Sequence, residues 1–221
     1  MVGTDAGTPR ERYRAQVQQE IKAHAWEQIR AAGASALSLS AIAKRMGLSG
    51  PALYRYFAGR DELITALVRD AYRSLADAVR LRAEAGADLA ALAQVLRRWA
   101  LDDPQRYFLV YGTPVPGYEA PRDTTSIAAE IMAVLLEASA GVVGAATPDD
   151  REAPGPLEAH LAEHRSWDGG NPAPSSALRL ALVFWTRLCG VLSLELAGHF
   201  TGMGFDPEEL YTAEVRALTG G

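Results

Sequence analysis

The stretch Leu39–Leu67, LSAIAKRMGLSGPALYRYFAGRDELITAL, decides how the whole chain reads. Two short segments carry apolar residues at helical spacing, Ile42, Ala43 and Met46 in the first and Leu53 and Phe57 in the second. Gly47, Ser49, Gly50 and Pro51 stand between them, and Tyr54-Arg55-Tyr56 follows. A plain core helix has no use for that punctuation. Ser38 is placed to cap a helix that ends at Gly47, and Ser49 to cap another that tolerates Pro51 in its first turn. Asp61 and Glu62 then open a longer run through Leu63, Leu67, Ala71, Leu75 and Val79, as acids near a helix N-terminus should.

Two short helices joined by a Gly-containing turn make a helix-turn-helix, whose second helix lies in the major groove of DNA while the first crosses the backbone. Upstream, Tyr13, Val17, Ile21, Ala25 and Ile29 recur at helical spacing and Gly33 is a natural stop, which gives a first long helix to pack on. In this reading Ile42, Ala43 and Met46 face inward and Leu48 plugs the turn. Leu53 and Phe57, four apart, share the inward face. Gly50, Pro51, Ala52, Arg55 and Tyr56 then face outward, with Tyr54 at the edge. Arg55 offers a fork of donors to guanine or phosphate, and the tyrosines can hydrogen-bond to phosphate oxygens. Ser40 and Arg60 flank the groove as phosphate contacts. The competing reading is a helical hairpin with the tyrosines in its core.

Charge favours the first reading. The 221-residue chain carries a net charge of −5, but unevenly. Residues 1–60 hold nine Lys or Arg against four Asp or Glu, a balance of +5, and residues 61–221 hold thirteen against twenty-three, a balance of −10. A basic N-terminal module on an acidic body is what a protein needs if only its first part meets phosphates.

The rest of the chain reads as helix. Sustained apolar/polar alternation, the strand signal, is missing. Beyond Gly86 helices are expected at 87–101, 104–112, 123–143, 177–201 and 206–218. Tyr111–Pro121 is too rich in Pro and Gly to be helical, and Thr147–Ser176 is a long Pro/Gly-rich connection with room for one short helix around Leu157–His164. With 48% hydrophobic residues a sizeable core is affordable. No run of about 18 apolar residues is apparent, so no membrane span is expected. The start MVGTDAGTPR has no secretion-signal core, and the single Cys189 fits a reducing cytoplasm.

Ser38, Ile42-Ala43, Met46-Gly47-Leu48-Ser49, Leu53-Tyr54-x-Tyr56-Phe57 and Asp61-Glu62-Leu63 together resemble the DNA-binding domain of the tetracycline-repressor (TetR) family, over residues 10–70. Two positions depart from the family pattern: Arg60, usually Lys there, and Tyr56, often His. The resemblance implies an all-α homodimer bound to double-stranded DNA, with a three-helix helix-turn-helix head joined by a long helix to a C-terminal helical bundle. It implies a disordered tail at 1–9, the DNA-binding domain at 10–60, and a ligand-binding and dimerisation domain at 61–221. Most members are repressors released from a palindromic operator by a small molecule. A regulator of DNA without any ligand is the alternative.

For the C-terminal part the residues say less. LRRWALDDPQRYFLVYGTPVPGY and ALVFWTRLCGVLSLELAGHF concentrate aromatic side chains. These form either core or the lining of an apolar cavity; Trp99, Tyr107, Tyr111, Trp185 and Cys189 are the lining candidates. Both segments resemble the family's WHG-type C-terminal domain, with Cys189 standing where Trp185-x-x-x-His-Gly would have its histidine. The helix expected at 177–201 is apolar on more than one face, so one face suits a core and another a partner subunit, with Gly190 and Gly198 permitting close approach. Glu195 in that run requires a partner. An enzyme reading has one feature: His160, Glu163 and His164 match an H-x-x-E-H pattern that binds zinc in one class of metalloproteases. The segment lies in a Pro/Gly-rich connection rather than on a long buried helix, so the expectation is no catalytic residue, no metal and no cofactor.

Overall fold

The computed structural model describes residues 8–112, 118, 121–145, 155–165 and 170–220. The expected tail lies outside the described residues as far as residue 7; Thr8 already caps the first helix. Among the described residues there are helices and no strands: α1 Pro9–Ala32, a 3-10 turn Ala34–Ala36, α2 Leu39–Arg45, α3 Gly50–Leu53, α4 Arg60–Glu84, α5 Leu89–Asp102, α6 Pro104–Tyr111, α7 Arg122–Ala145, α8 Pro156–Glu163, α9 Ser175–Leu196 and α10 Pro207–Thr219. The chain divides into two compact units, 1–70 with 113–120, and 71–112 with 121–221, so the division falls within α4.

In the first unit the expected caps form. The hydroxyl of Ser38 accepts from the amide of Ala41 and that of Ser49 from the amide of Ala52, each at 3.3 Å. Between them Gly47 sits at φ 66°, a left-handed conformation costly for other residues, which lets the amide of Leu48 reach back to the Ala43 carbonyl at 2.9 Å. Val17, Ile21, Ala25 and Ile29 of α1 are buried with Ile42, Leu53, Phe57, Leu63 and Leu67. Burying each such Leu or Ile contributes about 1.5–3 kcal/mol before conformational entropy is counted. Tyr13 departs from expectation: it lies one turn beyond the buried stripe and is exposed. Tyr118 belongs to this unit, its hydroxyl 3.1 Å from that of the buried Thr65.

In the second unit α9 is central, packing with α7, α8 and α10. Leu178, Ala181, Phe184, Leu188 and Leu192 recur every three or four residues along its buried face. Ile131, Leu135 and Leu136 of α7, Leu92 and Leu96 of α5, and Tyr211 of α10 complete the core. Glu195 has its partner: Arg97 donates both terminal nitrogens to the carboxylate, at 2.5 and 2.9 Å, and lies over the Tyr211 ring at 5.1 Å. The helix ends at Leu196 rather than 201, because the chain turns at Ala197–Gly198 with the amides of Gly198 and His199 returning to Glu195 and Leu194.

Residues 124–145 and 175–196 form helices long and apolar enough to cross a membrane by length and composition alone, a test that the core helix of a folded domain also passes. Thr, Ser, Gly and isolated Glu or Arg interrupt their apolar runs. The two helices pack on each other, and α9 adds contacts to α8 and α10.

Candidate DNA-reading edge and aromatic cluster

The edge that follows the turn is built on a very short helix. α3 spans only Gly50–Leu53, and Tyr54–Tyr56 continue as tight turns, with the amide of Arg55 donating to Ala52 and that of Tyr56 to Leu53 at 2.8 Å. Arg55 and Tyr56 therefore stand just past the helix rather than on it. Leu53 and Phe57 point inward as expected. Ser40, Gly50, Pro51, Tyr54 and Arg55 are exposed, and Ala52 is half-buried.

Tyr56 corrects the expectation of a fully outward side chain. It is half-buried, with the guanidinium of Arg14 5.6 Å from its ring centre. Arg14 also donates to the carbonyl of Arg55 at 2.9 Å, and Gln18 to the carbonyl of Tyr56 at 3.4 Å. Two side chains of α1 thus hold the backbone that carries Arg55. Sequence reasoning missed both, because the link spans about forty residues and no local pattern announces it. Arg60 is also engaged: its Nη2 donates to the carbonyls of Ala34 and Ser35 at 3.0 and 3.4 Å. Ser40 faces Ser38, oxygen to oxygen, at 3.0 Å.

In the second unit the structure brings the aromatic candidates together around Tyr111. Its ring centre lies 5.3 Å from that of Trp185, 5.4 Å from Tyr107, 6.4 Å from Trp99 and 5.9 Å from Tyr72. Tyr72 was not foreseen; it stands next to Ala71, outside the apolar stripe read along the long helix. Several neighbouring polar atoms have partners within the protein. The Tyr107 hydroxyl donates to the Cys189 carbonyl at 2.9 Å and meets the Ser193 hydroxyl at 2.8 Å, and the Trp99 indole donates to Ser74 at 2.9 Å. The Tyr111 hydroxyl is buried with no hydrogen-bond partner among the described residues. Burial pushes the Cys189 thiol up to about 12 and raises the phenols of Tyr107 and Tyr111, so all three stay neutral near pH 7. At the end of α6, Gly112 fits because it has no side chain: a Cβ there would lie 2.5 Å from the Phe108 carbonyl oxygen. The GTPVPG break that follows lies outside the described residues from 113 to 117.

His160, Glu163 and His164 are exposed on and just after the short α8. The two imidazoles stack 4.1 Å apart, and the Nδ1 of His164 is 2.9 Å from the His160 carbonyl oxygen. Among the described residues no group of three or more His, Cys, Asp or Glu is arranged to hold a metal.

Comparison with known proteins agrees with this architecture. Residues 21–67 match the family described as bacterial regulatory proteins, tetR family, and residues 89–218 match the tetracyclin repressor-like C-terminal domain. The chain is 38% identical over 198 residues to the HTH-type transcriptional regulator Rv1816 of Mycobacterium tuberculosis, covering 84% of this chain and 83% of that protein. A crystal structure described as that of a regulatory protein, SCO4313, is 66% identical and superposes with a TM-score of 0.88, covering 97% of this chain and all of the other. A protein of unknown function from Rhodococcus sp. RHA1 shares the fold at 21% identity and a TM-score of 0.68, over 100% of this chain and 98% of that one. The chain belongs to the TetR family and is a DNA-binding transcriptional regulator.

Proposed function

We propose that the protein is a cytoplasmic, homodimeric repressor that leaves a palindromic operator when a small molecule binds its C-terminal domain, residues 61–221. Residues 10–60 are the DNA-reading head. The observation that carries the reading is the exposed edge formed by Gly50, Pro51, Tyr54 and Arg55, anchored by the buried Leu53 and Phe57 and backed by Arg14. Gly50, Pro51 and Ala52 let the backbone approach the duplex closely. Arg55 reads a base edge, and Ser40, Tyr54 and Tyr56 contact phosphates. Arg60 adds a phosphate contact through the nitrogens not committed to Ala34 and Ser35.

The second copy is supported by apolar surface that the second unit does not cover. Leu194 is 45% exposed, and Val191 on α9 and Val142 and Val143 on α7 are only half-buried. Pairing these two helices across a two-fold axis removes that surface from water. A two-fold dimer carries two heads and therefore requires two half-sites, about one helical turn apart or a multiple of it.

Ligand binding is assigned to Trp99, Tyr107, Tyr111, Trp185 and Cys189, with Tyr72 added. The support is their convergence on one buried hydroxyl without a partner. If ligand weakens DNA binding, DNA must weaken ligand binding by the same factor. Anisotropy titration of the duplex upstream of the protein's own gene, against a scrambled duplex, tests the reading: a clear preference for the first supports it, and equal binding overturns it.

A further inference from the structure

We infer that α1 carries a DNA contact of its own: Arg10 and Tyr13, in its first turns, bind backbone phosphates beside the segment that presents Arg55. This rests on the reading of Gly50, Pro51, Tyr54 and Arg55 as the DNA-reading edge, and extends its footprint.

The placement comes from one stripe of α1. Gln18 donates to the carbonyl of Tyr56 at 3.4 Å, and Arg14, four residues earlier, donates to the carbonyl of Arg55 at 2.9 Å. That side of α1 therefore runs along the backbone that carries Arg55. Residues four apart share a helix face, so Arg10 is the next member of the stripe, about 6 Å further along the axis. It is exposed, and among the described residues it forms no hydrogen bond or ion pair.

Other cations of the first unit are engaged within the fold. Lys22 pairs with Asp70 at 2.6 Å, Arg45 with Glu27 at 2.7 Å, and Arg60 donates to the carbonyls of Ala34 and Ser35. Glu11, next to Arg10 in the chain, is held at the helix cap, where its carboxylate accepts from the amide and the hydroxyl of Thr8 at 2.7 and 3.0 Å. Arg10 thus keeps all its donors for an acceptor outside the protein. A phosphate oxygen beside the reading edge supplies one, in a charge-assisted hydrogen bond.

Tyr13 lies four residues before the buried Val17, on the face that α1 turns to the core, yet it is 63% exposed because it stands beyond the edge of that core. Its ring has no packing role, and its hydroxyl suits a phosphate oxygen. Arg12 has the same charge as Arg10 and is equally without an ion pair among the described residues, but it lies about 200° round the helix from both Arg10 and Arg14. It is the control that separates a contact from the general attraction of a basic surface.

The test compares the parent with Arg10→Ala, Arg12→Ala, Tyr13→Phe and Arg55→Ala. Anisotropy titrations use the duplex upstream of the protein's own gene and a scrambled duplex, across a salt series, at a temperature where circular dichroism shows each variant folded. The inference predicts that Arg10→Ala weakens both duplexes alike and lowers the slope of log affinity against log salt by about 0.9. Tyr13→Phe is expected to weaken both about threefold with the slope unchanged, since a neutral hydroxyl releases no counterion. Arg12→Ala leaves the slope close to that of the parent. An unchanged slope in Arg10→Ala, or an equal or larger fall in Arg12→Ala, overturns the contact while a loss of preference in Arg55→Ala leaves the reading edge standing. A preference indifferent to Arg55→Ala, with the predicted fall in Arg10→Ala, contradicts the reading edge and leaves the α1 contact in place. A parent chain that binds neither duplex overturns both.

Discussion

The guanidinium of Arg60, in the first turn of α4, donates from Nη2 to the carbonyl of Ala34 at 3.0 Å. That bond ties the start of the long helix to the 3-10 turn between α1 and α2, and so fixes the frame in which α2 and α3 sit. Arg60→Ala is expected to lower the unfolding free energy by about 1–3 kcal/mol, the range for a hydrogen bond to a charged group. If Arg60 also meets a phosphate, the slope of log affinity for DNA against log salt falls by about 0.9. Arg60→Lys restores the slope without restoring the stability. Chemical denaturation and salt-series titrations separate the two roles.

Arg55 makes no side-chain contact that the fold requires: its side chain is exposed and only its carbonyl is held, by Arg14. Arg55→Ala should leave the melting temperature unchanged and weaken operator binding by about 1–3 kcal/mol, with specificity relaxed at one base position. Arg14→Ala should weaken operator binding as well, through loosening of the backbone at Arg55, in a titration that leaves Arg55 itself in place.

Leu194 projects from α9 with 45% of its surface exposed. Leu194→Glu is therefore expected to leave each protomer folded and to shift the population from dimer to monomer. Light scattering with circular dichroism reads both quantities. A parent chain that is already monomeric at the same concentration contradicts the proposed interface.

The Arg97–Glu195 pair lies in the interior of the second unit, with side chains 7% and 15% exposed. Removing one partner strands the other charge, so Arg97→Ala should cost about 3–5 kcal/mol. Replacing both with Met and Leu should cost much less. A double-mutant cycle in denaturant measures the difference.

Alkali should unfold the protein through its C-terminal unit. Burial raises the Cys189 thiol from 9.0 to about 12 and lifts Tyr107, Tyr111 and Tyr211 above 10.0. The folded state holds these protons more tightly than the unfolded chain. The stabilisation is full below the unfolded values and is lost as pH rises through the folded ones. Stability is thus expected to be insensitive to these groups up to about pH 9 and to fall steeply above it. In the same vein, the native thiol should react with a disulfide reagent at pH 8 far more slowly than the denatured one.

Much of the head was legible in the sequence because its signals are local. Ser38, Ser49 and Gly47 act within three or four residues of themselves, and the buried Leu53/Phe57 pair follows from helical spacing alone. The length of α3, the covering of Tyr56 and the engagement of Arg60 were not legible. Each depends on side chains of α1 or on the turn after it, dozens of residues away. In the second unit the identities of the aromatic residues were readable and their meeting point was not. Tyr111 becomes the centre only when α4, α5, α6 and α9 converge, which brings in Tyr72 and leaves one hydroxyl unpaired.

The central claim is that the edge from Gly50 to Arg55 reads DNA. Its most direct test is an anisotropy titration of the purified parent chain and Arg55→Ala on the duplex upstream of its own gene and on a scrambled duplex, at one fixed salt concentration. The account predicts that the parent prefers the first duplex by at least about a thousandfold. It predicts that Arg55→Ala loses about ten- to a hundredfold of that preference while binding the scrambled duplex almost as before. Equal affinity of the parent for both duplexes, or a preference untouched by Arg55→Ala, would contradict it.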